Sequence, residues 1–335
     1  MSTTSSRSGN GGLLAEPAPR VSVLVAAFNG EAFVGEALAS LSAQSFRDFE
    51  AIVVDDGSTD GTATRVATLA AADPRIRLIR QANGGTQAAR NAALAVARGR
   101  WVALLDQDDV WLPGKLEAQM ALADADPRAN LLFTNYHVWD GTRRLEIRYA
   151  RRDKVPEGDV AVGLARSCLF QASTVMVPRA LAVELGGFDP NLRNAGDWDL
   201  WLRIADRGIH ARGTFESLVL YRVWDGNESL NHVRTADEGV KVLLNALGRP
   251  QPAPLRAACV RALRQARAKL ELARAAAHLN DPVLVRASLR AAFVHDRTGK
   301  RLLEWLAVAW PAPLGGRRTA SLVHAKLARK FRTRS

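Results

Sequence analysis

Between residues 21 and 105 the chain repeats one unit three times: an apolar strand run, a short polar stretch and an amphipathic helix. The runs are "VSVLVAA" (21–27), "EAIVV" (50–54), "IRLI" (76–79) and "WVALL" (101–105). After the first run Phe33, Ala37 and Leu41 recur at helical spacing, and helices are expected over 61–72 and about 86–98. Strands with so few polar interruptions are covered on both faces, and strand–helix alternation with short turns makes them parallel. The expected fold class is therefore α/β, with a mainly parallel sheet flanked by helices. In such a sheet the ligand crevice lies beyond the carboxyl ends of the strands.

Polar groups collect at those ends. Phe28, Asn29, Gly30 and Glu31 follow the first run; Asp55, Asp56, Gly57 and Ser58 follow the second; Asp106, Asp108 and Asp109 follow the fourth, in "LLDQDD" (104–109). Any one of these is an ordinary turn or helix cap. Three at corresponding positions point to a site. Carboxylates this close do not all ionise cheaply, so such a cluster is protonated, hydrogen-bonded or bound to a cation. Mg²⁺ or Mn²⁺, held by one or two carboxylates and by substrate phosphates, resolves the conflict and points to a diphosphate substrate.

Four segments, in order, also resemble the family 2 glycosyltransferases of GT-A fold. They are "VSVLVAAFNGEAFVGEALASLSAQSFRDFEAIVVDDGSTDGT", "NGGTQAARNAALAVARGR", "WVALLDQDDVWLPGKLE" and "GGFDPNLRNAGDWDLWLR", and the match spans about residues 20–225. The resemblance implies a nucleotide-sugar donor, a UDP-sugar, and inverting transfer to a hydroxyl of a cell-surface glycan or lipid-linked acceptor. It implies that Asp56 meets the nucleotide base, that Ala27, Phe28, Asn29 and Glu31 frame base and ribose, and that Arg90 sits near the diphosphate or holds the acidic cluster. Asp108 and Asp109 would face ribose and metal (Mn²⁺ or Mg²⁺) with Asp106 nearby, the principal ligand among the three remaining open. Asp197 would be the general base that takes the acceptor proton, with Asp199 the weaker claimant; Trp198 and Trp201 would wall the acceptor or lie in the core.

Two departures stand out. Gly196 precedes the base where the family often has an acidic residue, and "YRVWDGNESLN" has Trp224 where many members carry a metal-assisting His. His232 or Asp225 could take that part. The later segments are expected as a strand over 172–178, a turn at 186–190, a helix over 197–208 and an edge strand over 217–223. A dinucleotide-dependent dehydrogenase is disfavoured because no GxGxxG follows the first strand. A non-catalytic glycan- or membrane-binding module of the same fold is the alternative.

Charge divides the chain. From residue 241 on there are 20 Lys plus Arg against 4 Asp plus Glu, leaving 26 against 30 before it. The expected organisation is a disordered tail (1–19), a catalytic domain (20–240, with a nucleotide-sugar half 20–135 and an acceptor half 136–240) and a basic helical extension (241–335). That extension fits an anionic membrane surface or an ordinary helical cap, and its few aromatics and lack of a reading motif argue against nucleic acid. Two cysteines without CxxC spacing, no signal-peptide pattern and no run of roughly 18 apolar residues lead to the expectation of a cytoplasmic protein, peripheral on the membrane at most.

Overall fold

The computed structural model describes residues 17–278 and 281–295. Most of the expected tail and the run "LLEWLAVAW" (302–310) lie outside them. In chain order the elements are β1 (Val21–Ala27), α1 (Val34–Ser42), β2 (Phe49–Asp55), α2 (Thr62–Ala72), β3 (Ile76–Arg80), α3 (Thr86–Val96), β4 (Trp101–Asp106), β5 (Val110–Trp111) and α4 (Lys115–Ala125). There follow β6 (Leu131–Trp139), β7 (Arg144–Ile147), α5 (Ala161–Arg166), β8 (Val175–Pro178), α6 (Arg179–Glu184), α7 (Gly196–Asp206), β9 (Ala211–Arg222), α8 (His232–Leu247), α9 (Ala253–Ala277) and α10 (Pro282–His295).

Among the described residues the strands form one sheet in the order β3-β2-β1-β4-β8-β6-β9-β5, with β7 beside β6. The first four strands pair in parallel, as the alternation requires. Their registers are level: Ala27 lies beside Asp55, and Ala26 beside Asp106. The polar stretches that follow β1, β2 and β4 therefore open on the same rim.

Strand alternation divides the apolar residues between two cores. Val21, Val23 and Val25 join Val53, Ala103 and Leu105 on the face covered by α1, α2 and α4. Leu24 joins Ile52, Val54, Val102 and Leu104 on the face covered by α3, α5, α7 and α8. This larger core continues through Leu255, Cys259 and Leu263 of α9, and a separate small cluster links the rest of α9 to α10. Residue 240, the expected boundary, falls inside α8.

Two expectations change. The stretch 172–178 is not all strand: residues Ala172–Thr174 form a 3₁₀ turn, in which the Thr174 hydroxyl donates to the Gln171 carbonyl, and β8 begins at Val175. Nor is the strand over 217–223 an edge. It is the end of the longer β9, whose Val219 pairs with Tyr136 of β6 on one side and Trp111 of β5 on the other. The two-residue β5, directly after the acidic turn, supplies that outer partner and brings the end of β9 against the acidic turn.

Behind this rim Lys115 is fully buried. Its Nζ donates to Gln119 Oε1 at 2.6 Å and lies 3.7 Å from the centre of the Trp111 ring. Withdrawal from water pushes the ammonium pKa well down. Between that lowered value and the unfolded value near ~10.4 the unfolded chain binds more protons, so stability rises with pH across that window. The urea midpoint is expected to rise from pH 7 to 9 in the native protein and to rise measurably less in Lys115→Met. Equal slopes would show that Lys115 stays charged when folded.

Candidate active site

The three rim segments are stitched together by side chains. Gln107 spans from the β4 turn to β1: its Oε1 accepts from the Phe28 amide at 2.9 Å and its Nε2 donates to the Phe28 carbonyl at 3.1 Å. Asn29, held at a φ of 44°, accepts from the Thr59 amide at 2.9 Å, and its own amide donates to the Ser58 hydroxyl at 3.0 Å. Glu31 accepts from the Gly61 amide at 2.9 Å. Ala27 is buried and accepts from the Asp56 amide, whereas the Phe28 ring is exposed at the rim. Asn29 and Glu31, expected around base and ribose, thus also brace the loop after β2.

Asp56 is buried and accepts from Gln81 Nε2 at 2.7 Å and from the amides of Gly84 and Gly85 at 2.9 and 2.7 Å. It draws the "NGG" loop onto the end of β2. Its Oδ2 carries one of these bonds and keeps a lone pair free for a further donor.

The three carboxylates of the β4 turn are treated differently. Asp106 is neutralised by Arg90 of α3, whose Nη2 donates at 2.5 Å. This bond ties Arg90 to the acidic cluster. Asp109 is fully buried; its Oδ2 accepts from the Ser173 hydroxyl at 2.5 Å and its Oδ1 from the Arg222 amide at 2.9 Å. Burial first, then the charges of Asp108 and Asp106, push its pKa well up. Expected as a metal ligand beside Asp108, Asp109 faces the protein interior, with both oxygens engaged. Asp108 has neutral donors, Trp224 Nε1 at 2.9 Å and Asn227 Nδ2 at 3.3 Å, both on Oδ2. Its pKa is raised by burial and by the charge of Asp106.

Several of these partners were not apparent from the sequence. Arg222 caps the turn by donating from Nε to the Asp108 carbonyl at 2.8 Å and from Nη2 to Glu36 at 2.5 Å, with its guanidinium over the Trp139 ring at 4.1 Å. Ser173, read as part of a strand, reaches Asp109 only because of the 3₁₀ turn. Trp224 stacks on Phe33 with ring centres 4.7 Å apart while donating to Asp108. The position of Arg222 directly after a β-rich run, in "YRVW", was the one available signal.

Asp197 stands in the first turn of α7, where its Oδ1 accepts from the Trp198 amide at 2.8 Å. Withdrawal from water pushes its pKa up to about 6, against the pull of Arg90 and with a further push from Asp106. The three groups therefore share one electrostatic neighbourhood. Gly196 has a steric reason: a Cβ there would come within 2.4 Å of Gln87 Cδ. Gln87 fills that space, accepting from Arg90 at 3.3 Å and donating to the Arg193 carbonyl at 2.9 Å. Asp199 is buried in ion pairs with Arg203 and Arg249, and Trp201 is fully buried in the core. Trp198 packs against the same core and donates to the Leu164 carbonyl at 2.7 Å.

Among the described residues no group of three or more His, Cys, Asp or Glu side chains could hold a metal ion, and neither Asp225 nor His232 completes one. A hard cation at Asp108 would instead complete its shell with phosphate oxygens and water, the usual arrangement for Mg²⁺ and Mn²⁺. A carboxylate whose side-chain donors are the neutral groups of Trp224 and Asn227, with Oδ1 carrying neither bond, fits such an ion.

A model of glycosyl transferase family 2 matches residues 22–174, from β1 to the turn that carries Ser173. TuaG, a glycosyltransferase assigned to teichuronic acid biosynthesis in Bacillus subtilis, is 32% identical over 221 residues, which cover 65% of this chain and 84% of TuaG. The chain belongs to glycosyl transferase family 2. EpsE, a B. subtilis protein assigned as a glycosyltransferase, is 32% identical over 217 residues, covering 63% of this chain and 75% of EpsE. Other relatives are longer, and the chain spans only 21% of the Sinorhizobium fredii protein y4gI. Solved structures share the GT-A fold. S. aureus TarS 1–349 in complex with UDP-GlcNAc superposes with a TM-score of 0.61 at 16% identity, covering 94% of this chain and 92% of that one. The Pyrobaculum calidifontis mannosyltransferase PcManGT in complex with GDP-Man and Mn²⁺ gives 0.60 at 23% identity, covering 95% and 87%. The protein is thus a GT-A glycosyltransferase of family 2.

Proposed function

We propose that this glycosyltransferase moves a sugar, with inversion, from a UDP-sugar to a hydroxyl of a cell-surface glycan or lipid-linked acceptor. The observation that carries the reading is the asymmetry of the acidic site. Asp197, raised to about 6, is tuned to take a proton near neutral pH, while the carboxylate of Asp108 on the β4 turn accepts from the neutral donors Trp224 and Asn227. Asp197 takes the proton of the acceptor hydroxyl as that oxygen bonds to C1 of the sugar and the nucleoside diphosphate leaves from the opposite face. Arg90 fixes Asp106 and its charge keeps Asp197 from rising further; Asp56 and the segment from Ala27 to Glu31 receive base and ribose. Mn²⁺ or Mg²⁺ at Asp108 would supply charge stabilisation to the departing diphosphate. The UDP-GlcNAc and GDP-Man complexes of TarS and PcManGT support a nucleotide-sugar donor, the first of them a UDP-sugar, and the teichuronic acid assignment of TuaG supports a glycan acceptor.

A thermal-shift panel of UDP-GlcNAc, UDP-glucose, UDP-galactose and GDP-mannose, with and without Mn²⁺, tests the reading. A rise of a few degrees with a UDP-sugar that requires the ion is expected, because a ligand that binds only the folded state stabilises it. No response to any donor would sink it.

We further propose that the C-terminal helices rest on an anionic membrane surface at the cytoplasmic face. Arg256, Arg261, Arg264 and Arg267 are exposed along α9, as are Val283, Leu284 and Val294 on α10. No helix among the described residues is long and apolar enough to cross a membrane. Co-sedimentation with phosphatidylserine vesicles but not with phosphatidylcholine vesicles is expected, weakening as salt rises. Equal sedimentation with both would remove the proposal.

A further inference from the structure

Arg203 touches neither Asp197 nor the acidic turn after β4, yet all three of its guanidinium nitrogens are engaged. It projects from α7 two turns beyond Asp197. Its Nε donates to Asp199 Oδ2 at 2.7 Å, its Nη1 to the Leu185 carbonyl at 2.6 Å and its Nη2 to the Gly187 carbonyl at 2.6 Å. The two carbonyls belong to the turn that follows α6, where Gly186 and Gly187 hold φ values of 83° and 70°. Other residues adopt that region at a cost, so the turn's path is set by these two glycines and by whatever holds their neighbours.

The same turn is gripped on its other side by α3. The Phe188 amide donates to Asn91 Oδ1 at 2.7 Å, and Asn91 Nδ2 donates back to the Phe188 carbonyl at 2.7 Å. A Cβ at Gly187 would come within 2.4 Å of Asn91 Oδ1, so the contact is as close as a glycine allows. Asn91 adjoins Arg90, whose guanidinium also lies 5.6 Å from the centre of the Phe188 ring and pairs with Asp106. On its outer side the turn does not pack against filled core. It borders a solvent-open cleft of about 610 Å³, lined in part by Phe188, Asp189, Arg203, Asn245 and Arg249.

We propose that Arg203, oriented by Asp199, is a positioning residue: it locks the Gly186–Gly187 turn between α7 and α3 and so sets the distance from Asp197 to the Arg90–Asp106 pair. Two ties run between α7 and α3. Gln87 joins the start of α7 to α3 through the Arg193 carbonyl, and Arg203 joins its second half through the turn. The first turn is also held from elsewhere, by Trp198 on the Leu164 carbonyl and by Glu238 of α8 accepting from the amides of Arg193, Asn194 and Ala195, so what Arg203 adds is the spacing of α7 from α3. A charge-assisted bond to each carbonyl is stronger and more directional than a neutral one, and Lys, whose three N–H donors share one nitrogen, lacks the planar fork that reaches all three acceptors at once. The donor-binding segments after β1 and β2 lie on other elements and are not tied through this turn.

The kinetic arm rests on the glycosyl-transfer reading; the exchange arm does not. The full chain carrying Arg203→Lys or Arg203→Met is compared with the native protein and with Arg249→Gln, which removes the other partner of Asp199 and leaves all three Arg203 bonds. Hydrolytic UDP release, with water taking the sugar, from the UDP-sugar selected by the thermal-shift panel gives kcat and KM, and amide exchange by mass spectrometry follows peptides spanning 185–198. Expected are faster exchange at 186–188 in both Arg203 variants, kcat lowered about tenfold in Arg203→Lys and more in Arg203→Met, and KM for the donor within about twofold. Arg249→Gln should leave kcat and exchange at 186–188 unchanged. A looser turn with unchanged kcat, or kcat and KM failing together with the melting temperature, would overturn the proposal. If the native protein neither binds nor hydrolyses any donor, the functional reading fails on its own. The exchange arm then decides, and unchanged exchange at 186–188 in Arg203→Met overturns the tie.

Discussion

Asp197→Asn is expected to lower sugar transfer by about 10³-fold while leaving the affinity for the UDP-sugar within about twofold. The substitution keeps the shape and the bond from the Trp198 amide and removes only the ability to take a proton. In the native enzyme the same carboxyl, raised to about 6 chiefly by withdrawal from water, predicts an acid limb in kcat/KM, which reports the free enzyme. Activity should fall about tenfold per pH unit below that value, where the base is protonated. The raised value also has a consequence for stability, with the opposite sign to the usual carboxylate. Between its ordinary value near 3.8 and the folded value near 6 the native state binds more protons than the unfolded chain, so this group's contribution is present at low pH and lost as pH rises through 6. The neutral amide escapes that loss. Asp197→Asn should therefore be more stable than the native protein at pH 7.5, by on the order of 1–3 kcal/mol, with the gain shrinking toward pH 4. Urea denaturation at the two pH values, beside steady-state kinetics, measures both effects. Native-like transfer by the variant would remove Asp197 from the mechanism; a variant that is inactive and less stable at both pH values would make it structural.

The first half of this fold was legible because each of its strands carries the instruction twice. In "VSVLVAA" alternate residues face two different cores, so almost every position is apolar, and the same holds for the strands beside it. The polar groups that end those strands then mark the rim with little ambiguity. β9 was harder. Its first half, "ARGTFE", has no clean alternation and its outer partner β5 is only two residues long, so nothing local shows that Val219 is paired on both sides. At the site the carboxylates could be found but their orientations could not. Asp108 and Asp109 are neighbours in a tight turn closed by the Asp109 amide on the Asp106 carbonyl, so their side chains leave in different directions. What decides which one faces inward is supplied from far along the chain: Ser173 lies 64 residues from Asp109 and Arg222 lies 113 residues away. The departure at Gly196 is understood in the same way, as room for Gln87 of α3, a residue no local pattern connects to it.

That inward and outward split gives the second large effect. Asp108→Asn is expected to weaken Mn²⁺-dependent binding of UDP by more than about tenfold and to lower kcat/KM by about 10²–10³-fold. An amide keeps one acceptor for Trp224 and Asn227, so the turn holds, but the charge that would draw a cation and its diphosphate is gone. Asp109→Asn should behave differently. The side chain is fully buried between the Ser173 hydroxyl and the Arg222 amide, where burial and the charges of Asp108 and Asp106 push its pKa up and so disfavour the charge that an amide lacks. This variant should therefore retain Mn²⁺-dependent UDP binding and change chiefly the melting temperature. Calorimetric titration with UDP and Mn²⁺, together with the paramagnetic resonance signal of free Mn²⁺, reads binding without reference to turnover. Loss of binding in Asp109→Asn with binding retained in Asp108→Asn would transfer the ligand role to Asp109, and would require the acidic turn to invert when the cation arrives.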